Sequence, residues 1–117
     1  MPKYLIQGYY TEKGLKVLLK EGGSKRKEAV MQAIKSMGGT LETFYFAFGD
    51  HDILAIIDIP DNVSATAFSL VVNSSGIAKI KTTVLTTPED IDHAVEKNID
   101  YHPHWTVMPA VTIDKDI

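Results

Sequence analysis

The order of hydrophobic patterns along the chain restricts its fold more than any other feature of the sequence. Stretches with the two-residue alternation and β-branched or aromatic content of strands are separated by stretches in which apolar residues recur at helical spacing. The predicted strands are Lys3 to Tyr10, Thr40 to Phe48, Ile53 to Ile59 and Ile77 to Thr86. Together with the helices, they follow the order strand, helix, strand, strand, helix, strand. This order is the signature of the split βαβ motif, so we expect an α+β fold of ferredoxin-like topology, with the helices on one face of a four-stranded antiparallel sheet.

Capping residues and apolar spacing locate the helices. Thr11 and Ser24 are predicted as N-caps of two helical segments that Gly22 and Gly23 separate. Pro60 opens the helix that precedes the last strand. The side chains expected to face the sheet recur at helical spacing, and they are Leu15, Leu18, Leu19, Val30, Ala33, Ile34, Met37, Val63, Ala67, Leu70 and Val71.

Residues 1–98 are expected to form this domain, because 117 residues leave room for one compact unit. Thr87 to Asp90 predicts a capping box and the start of a short additional helix. Residues 99–117 are expected to be a C-terminal extension that packs on the domain or on a partner subunit. The extension contains Trp105 and a predicted short strand near Val111 to Ile113.

Composition and charge exclude several classes of protein. The chain has no cysteine, which rules out disulfides and thiolate chemistry. It shows no signal-peptide pattern and no apolar run near the roughly 20 residues that span a bilayer, so we expect a soluble, cytoplasmic protein without a membrane partner. The net charge of −3 disfavours nucleic-acid binding, since the basic cluster Lys25-Arg26-Lys27 is short and typical of a solvated helix face.

The predicted sheet is apolar on both faces. In the second strand Phe44, Phe46 and Phe48 are assigned to one face, while Leu41, Tyr45 and Ala47 are assigned to the other. An antiparallel sheet with helices on one side normally presents a polar second face, so both faces here must be covered. A second copy of the chain is the simplest cover, which predicts a homodimer or higher homo-oligomer. The alternative is that the C-terminal extension folds over its own sheet.

Ser24 and Arg26 form the first candidate ligand site. They follow two glycines at the predicted start of a helix, where free main-chain N–H groups and a cation favour an anion. The alternative is a helix break followed by a cap and solvated bases.

His51 and Asp52 form the candidate catalytic pair. A carboxylate beside a histidine in the predicted hairpin turn could hold the imidazole in one tautomer and let it act as a general base. In the alternative, the aspartate bonds the backbone of the turn and the histidine is exposed.

Tyr9, Tyr45, Lys79 and Lys81 are further candidates for ligand binding, because they place polar groups on strands of an otherwise apolar sheet. The two lysines could also serve to keep an outer strand soluble. His102 and His104 lack a third ligand at a telling spacing, so no metal site is predicted. No nucleotide or cofactor motif is present, and we expect no cofactor.

Five sequence blocks in order resemble the GYD domain family. They are Lys3 to Ile6, Gly22 to Arg26, Phe46 to Asp52, Asn73 to Gly76 and Lys81 to Thr86, and the likeness covers about Pro2 to Tyr101. His51 stands where the Gly, Tyr, Asp signature of the family leads us to expect a tyrosine; both side chains can donate a hydrogen bond. The resemblance implies a ferredoxin-like protein of the dimeric α/β-barrel type, with no established activity.

These observations predict a small homo-oligomeric protein that binds a small organic ligand or a protein partner at its sheet. Two alternatives stay open because folds of this type host many functions. One is a cofactor-independent enzyme, of the oxygenase, isomerase or decarboxylase type, that acts on a small hydrophobic substrate. The other is a purely structural subunit.

Overall fold

The computed structural model of the protein describes residues 1–103. The predictions about His104, Trp105 and the short strand near Val111 to Ile113 lie outside the described residues. Along the chain the elements are β1 (Lys3–Tyr10), α1 (Glu12–Glu21), α2 (Gly23–Ser36), β2 (Thr40–Phe46), β3 (Ile53–Asp58), α3 (Asn62–Ser74), β4 (Ala78–Val84) and α4 (Pro88–Ala94).

The four strands form one antiparallel sheet in the order β2-β3-β1-β4. Helices α1, α2 and α3 cover one of its faces, and this arrangement confirms the α+β fold of ferredoxin-like topology. Within residues 1–103, no helix is long and apolar enough to cross a membrane.

Met1–Leu85 is one compact unit, which contains the sheet with α1, α2 and α3, and a second unit begins at Thr86. In the second unit, α4 begins with the predicted capping box: the Thr87 hydroxyl accepts from the Asp90 N–H, and the Asp90 carboxylate accepts from the Thr87 N–H. The proposed boundary at residue 98 stays a prediction.

Alternation along β1 and β3 determines the hydrophobic core. Every second residue of each strand is buried toward the helices, while the residues between them lie on the outer face, opposite the helices. Ile34 of α2 and Ala65 of α3 complete the main cluster. The most buried strand residues of that cluster are Tyr4, Ile6, Ala55 and Ile57.

A β-bulge in β2 corrects one predicted face. Leu41 pairs with Ile57, but Thr43 pairs with Ile56, so Glu42 is an extra residue and the alternation shifts by one position. Leu41 therefore packs on the helix side with Phe44, and not on the opposite face with Tyr45 as an uninterrupted alternation predicts.

Two helices differ from the predicted apolar stripes. In α1 only Leu18 packs against the core, and Leu19 is 86% exposed. In α3 the predicted stripe lies outward: Val63, Leu70 and Val71 are exposed, and the buried face contains Ala65 instead. Because α3 carries no charged residue, its composition could not indicate which face is buried.

Gly14 lets α1 lie directly on the start of β4. A Cβ atom at this position would lie 2.0 Å from the main-chain oxygen of Ile77. Thr11 joins the same two segments, since its N–H donates to the Ile77 carbonyl at 3.0 Å and its hydroxyl donates to the Gly76 carbonyl at 2.6 Å. This close approach positions the end of β1 beneath α1.

Candidate functional site

A cleft of about 200 Å³ lies between α2 and α3, on the helix side of the sheet. Exposed side chains of Ala29, Ala33 and Val71 form its rim, so the cleft opens to solvent. Its floor and walls are mainly the apolar side chains Ile6, Val30, Phe44, Ile53, Ala55, Ile57, Phe68, Val72, Ile77, Ala78 and Ile80.

The sequence of α2 explains why space remains there. Arg26, Ala29, Val30 and Ala33 follow the i, i+3, i+4, i+7 spacing that places side chains on one side of a helix. Two of the four are alanines, which fill little volume between α2 and the sheet. The predicted inward stripe of α2 is thus divided: Ile34 is fully buried in the core, while Ala33 borders the cleft.

A second groove, beside β4, is less suited to a ligand because its polar groups bond one another. The hydroxyls of Ser69 and Thr82 lie 2.6 Å apart, and the Tyr4 hydroxyl donates to the Asn62 side-chain oxygen at 2.5 Å. A ligand here would have to compete with hydrogen bonds that already exist.

Among residues 1–103, the cleft between α2 and α3 is lined by one guanidinium, that of Arg26, and one phenol, that of Tyr10. Tyr10 ends β1 and is 6% exposed. Burial raises the pKa of Tyr10, the positive charge of Arg26 opposes this rise, and the negative charge of Asp52 adds to it. At neutral pH the phenol therefore keeps its proton and can donate a hydrogen bond.

Asp52 has a structural partner. Its carboxylate accepts from the main-chain N–H of Tyr10 at 2.9 Å, and its own N–H donates to the Gly8 carbonyl at 2.7 Å. Within residues 1–103, no hydrogen bond joins this carboxylate to the His51 ring. The structure thus places the two residues of the predicted catalytic pair side by side in the β2–β3 loop without joining their side chains.

Ser24 does not cap α2. The helix begins one residue earlier, at Gly23, and its N-cap is Gly22 with a φ of 85°, a conformation that glycine adopts without strain. Ser24 is exposed in the first turn, whereas Arg26 lines the cleft. The two members of the predicted anion site therefore have different surroundings.

Tyr9, Tyr45, Lys79 and Lys81 lie on the outer face of the sheet, away from the cleft. The strand register places Tyr45, Leu54, Gln7 and Lys81 in one row across the sheet and pairs Tyr9 with Lys79. The Lys79 ammonium donates to the Asn73 carbonyl at 2.7 Å, in the last turn of α3. The predicted ligand-binding residues are thus divided between two faces of the sheet.

The His102 Nε2 lies 2.8 Å from an oxygen of the Asp100 carboxylate. In the part of the chain that the structure describes, no three His, Cys, Asp or Glu side chains are grouped to hold a metal.

Tyr10 is the site residue that the sequence reasoning missed. A signal was available, because Tyr10 continues the alternation of Tyr4, Ile6 and Gly8 that marks the buried side of β1. A tyrosine at the end of such a series brings a polar group to the edge of the core.

The fold and the cleft define a small sheet-and-helix domain with an apolar cavity on its helix side. The family model of the GYD domain matches residues 4–95, and the chain belongs to this family. Searches of curated proteins and of solved structures found no match.

Proposed function

We propose that this GYD-domain protein is a homo-oligomeric binding protein that takes a small, largely apolar organic molecule into the cleft between α2 and α3. The observation that carries the proposal is the cleft itself: about 200 Å³, apolar at its floor and open at its rim. An apolar cavity of roughly 150 Å³ is enough to bind benzene, so this cleft can hold a slightly larger molecule.

The affinity should depend on chain length. Burial of one methylene group contributes about 0.8 kcal/mol, which corresponds to roughly fourfold in affinity. Association itself costs several kcal/mol, so short alcohols should bind weakly and longer ones more tightly. The gain should stop once the chain is longer than the cleft.

A titration with 1-butanol, 1-hexanol and 1-octanol, followed by NMR shifts of backbone amides, tests this proposal. We expect the shifts to concentrate on α2, α3 and the strand residues beneath them. Ala33→Leu should weaken binding, because the larger side chain extends over the cleft. Ala67→Leu is the matched control: the same change at an exposed position of α3 that does not line the cleft. Equal effects of the two variants, or no binding of any alcohol, would exclude the cleft as the site.

The outer face of the sheet supports the homo-oligomeric part of the proposal. Leu5, Leu54 and Ile56 occupy its centre, and each is partly buried. Polar and charged groups lie beside this centre, with Lys3 bonded to both Asp58 and Glu42 at one end and Lys79 and Lys81 along β4. This combination of an apolar centre and a polar rim is typical of protein interfaces.

A two-fold axis parallel to the strands would set β4 of one subunit against β2 of its partner. Lys81 and Tyr45 lie in the same row at opposite edges of the sheet. In such a dimer, Lys81 of each subunit would therefore lie against Tyr45 of the other subunit and form a cation–π contact. Sedimentation equilibrium tests the assembly. Leu5→Lys should give a monomer, whereas Leu19→Lys, on exposed α1, should not change the mass; a monomeric wild-type protein at high concentration would refute the proposal.

A further inference from the structure

We propose that the ligand of the cleft is an amphipathic monocarboxylate, whose carboxylate is bound by the Arg26 guanidinium and accepts a hydrogen bond from the Tyr10 hydroxyl. This inference rests on the proposed function, because it assigns a head group to the molecule whose apolar part fills the same cleft.

Arg26 is the one charged residue among those that line the cleft. It is partly buried, and within residues 1–103 its guanidinium has neither an ion pair nor a hydrogen bond to another side chain. A guanidinium presents paired donors that match the two oxygens of a carboxylate. A cation at the edge of an apolar cavity therefore favours a ligand with an anionic end and an apolar body.

Tyr10 supplies a second donor at the same cleft. Its main-chain N–H is bound by the Asp52 carboxylate, which fixes the end of β1 and with it the phenol. Among the described residues the phenol oxygen has no hydrogen-bond partner. Burial raises the pKa of Tyr10, the positive charge of Arg26 opposes the rise and the negative charge of Asp52 adds to it, so the charge of Arg26 acts on the phenol.

The charge of the cleft favours a monoanion over a phosphate. One arginine neutralises one negative charge, and the other lining residues are almost all apolar. A dianionic phosphate would bring a second charge into surroundings with no cation for it, at a large cost in lost hydration. A carboxylate carries a single charge and has two oxygens, one for each donor.

The experiment compares octanoate with 1-octanol at pH 7, where the acid is ionised and the alkyl chains are matched. We expect octanoate to bind at least about tenfold more tightly, since hydrogen bonds to a charged group are stronger than those between neutral groups. Arg26→Gln should remove this preference, and Tyr10→Phe should reduce it severalfold while leaving the bond to the main-chain N–H intact. Lys25→Gln is the matched control, because it removes the same charge from the same turn of α2 at an exposed position outside the cleft.

The outcomes separate this inference from the proposed function. Loss of the preference in Arg26→Gln and its retention in Lys25→Gln would support the carboxylate site. Equal binding of octanoate and 1-octanol to the wild-type protein would overturn the carboxylate site and leave apolar binding intact. Failure of both compounds to bind would overturn both. A preference that survives Arg26→Gln, or that Lys25→Gln reduces equally, would refute the assignment to Arg26.

Discussion

Gly14→Ala should destabilise the protein although it improves the helix. Alanine is about 1 kcal/mol better than glycine inside a helix, so propensity alone predicts a gain. A Cβ at position 14, however, would lie 2.0 Å from the Ile77 main-chain oxygen and 3.1 Å from the Tyr10 ring. To relieve that overlap, the start of α1 must move away from β4 by about an ångström. The movement breaks the bonds of Thr11 to Gly76 and Ile77.

The change in the free energy of unfolding is the sum of the steric cost, the lost hydrogen bonds and the gain in helix propensity. Overpacking costs about 1–3 kcal/mol and each lost hydrogen bond about 1 kcal/mol, against a gain of about 1 kcal/mol from propensity. With two hydrogen bonds lost, we expect a net loss of about 3 kcal/mol and a fall in Tm of about 15 °C.

Urea and thermal unfolding, followed by far-ultraviolet circular dichroism, measure this change. Gly49→Ala is the control: no heavy atom lies within 4 Å of the added Cβ and no positive φ constrains the residue, so its stability should change by less than about 0.5 kcal/mol. If Gly14→Ala were as stable as the wild-type protein, the described approach of α1 to β4 would be wrong.

Three further predictions concern single hydrogen bonds. Asp52→Ala should lower the urea midpoint, because the Tyr10 N–H loses its acceptor, whereas Asp52→Asn should keep most of the stability; equal losses would argue against this bond. Asp61 accepts from main-chain N–H groups at the start of α3, which lowers its pKa below 3.8. The ionised Asp61 therefore contributes to the free energy of unfolding above its unfolded-state pKa, and this contribution is lost as pH falls through the pKa of the folded state. Between pH 4 and pH 2 the Asp61→Asn variant should thus lose less stability than the wild-type protein, which acid titration of unfolding can measure. Tyr4→Phe and Asn62→Ala should each cost about 1 kcal/mol, and the double variant should cost no more than the larger single effect if their hydrogen bond is the shared cause.

The sheet could be predicted from the sequence because its signal is local. The alternation of side chains that are buried and side chains that are not predicts β1 and β3 and also which face of each strand is buried. The extra residue Glu42 could not be foreseen, since a bulge leaves the composition of a strand unchanged. The buried face of α3 was also hidden, because Val63 and Leu70 are as apolar as the side chains that pack inward.

The candidate site could be predicted only in part. Arg26 was identified from its place near a helix start, but the cleft depends on the spacing between α2 and α3, which no local pattern records. Tyr9 and Tyr10 are adjacent and therefore point to opposite faces of the sheet. The sequence pattern favours Tyr9 as a ligand-binding residue, and the structure shows that Tyr10 lines the cleft.

The central position of β1 has a consequence for synthesis of the chain. This strand leaves the ribosome first among the four, but it pairs only with β3 and β4, which end at residues 58 and 84. Translation at roughly 5–20 residues per second delays these partners by several seconds, so the nascent strand must wait with both edges unpaired. Ribosome-bound chains arrested with only residues 1–50 exposed should be cut readily by protease within β1, and those with residues 1–90 exposed should resist; early resistance would contradict this order of assembly.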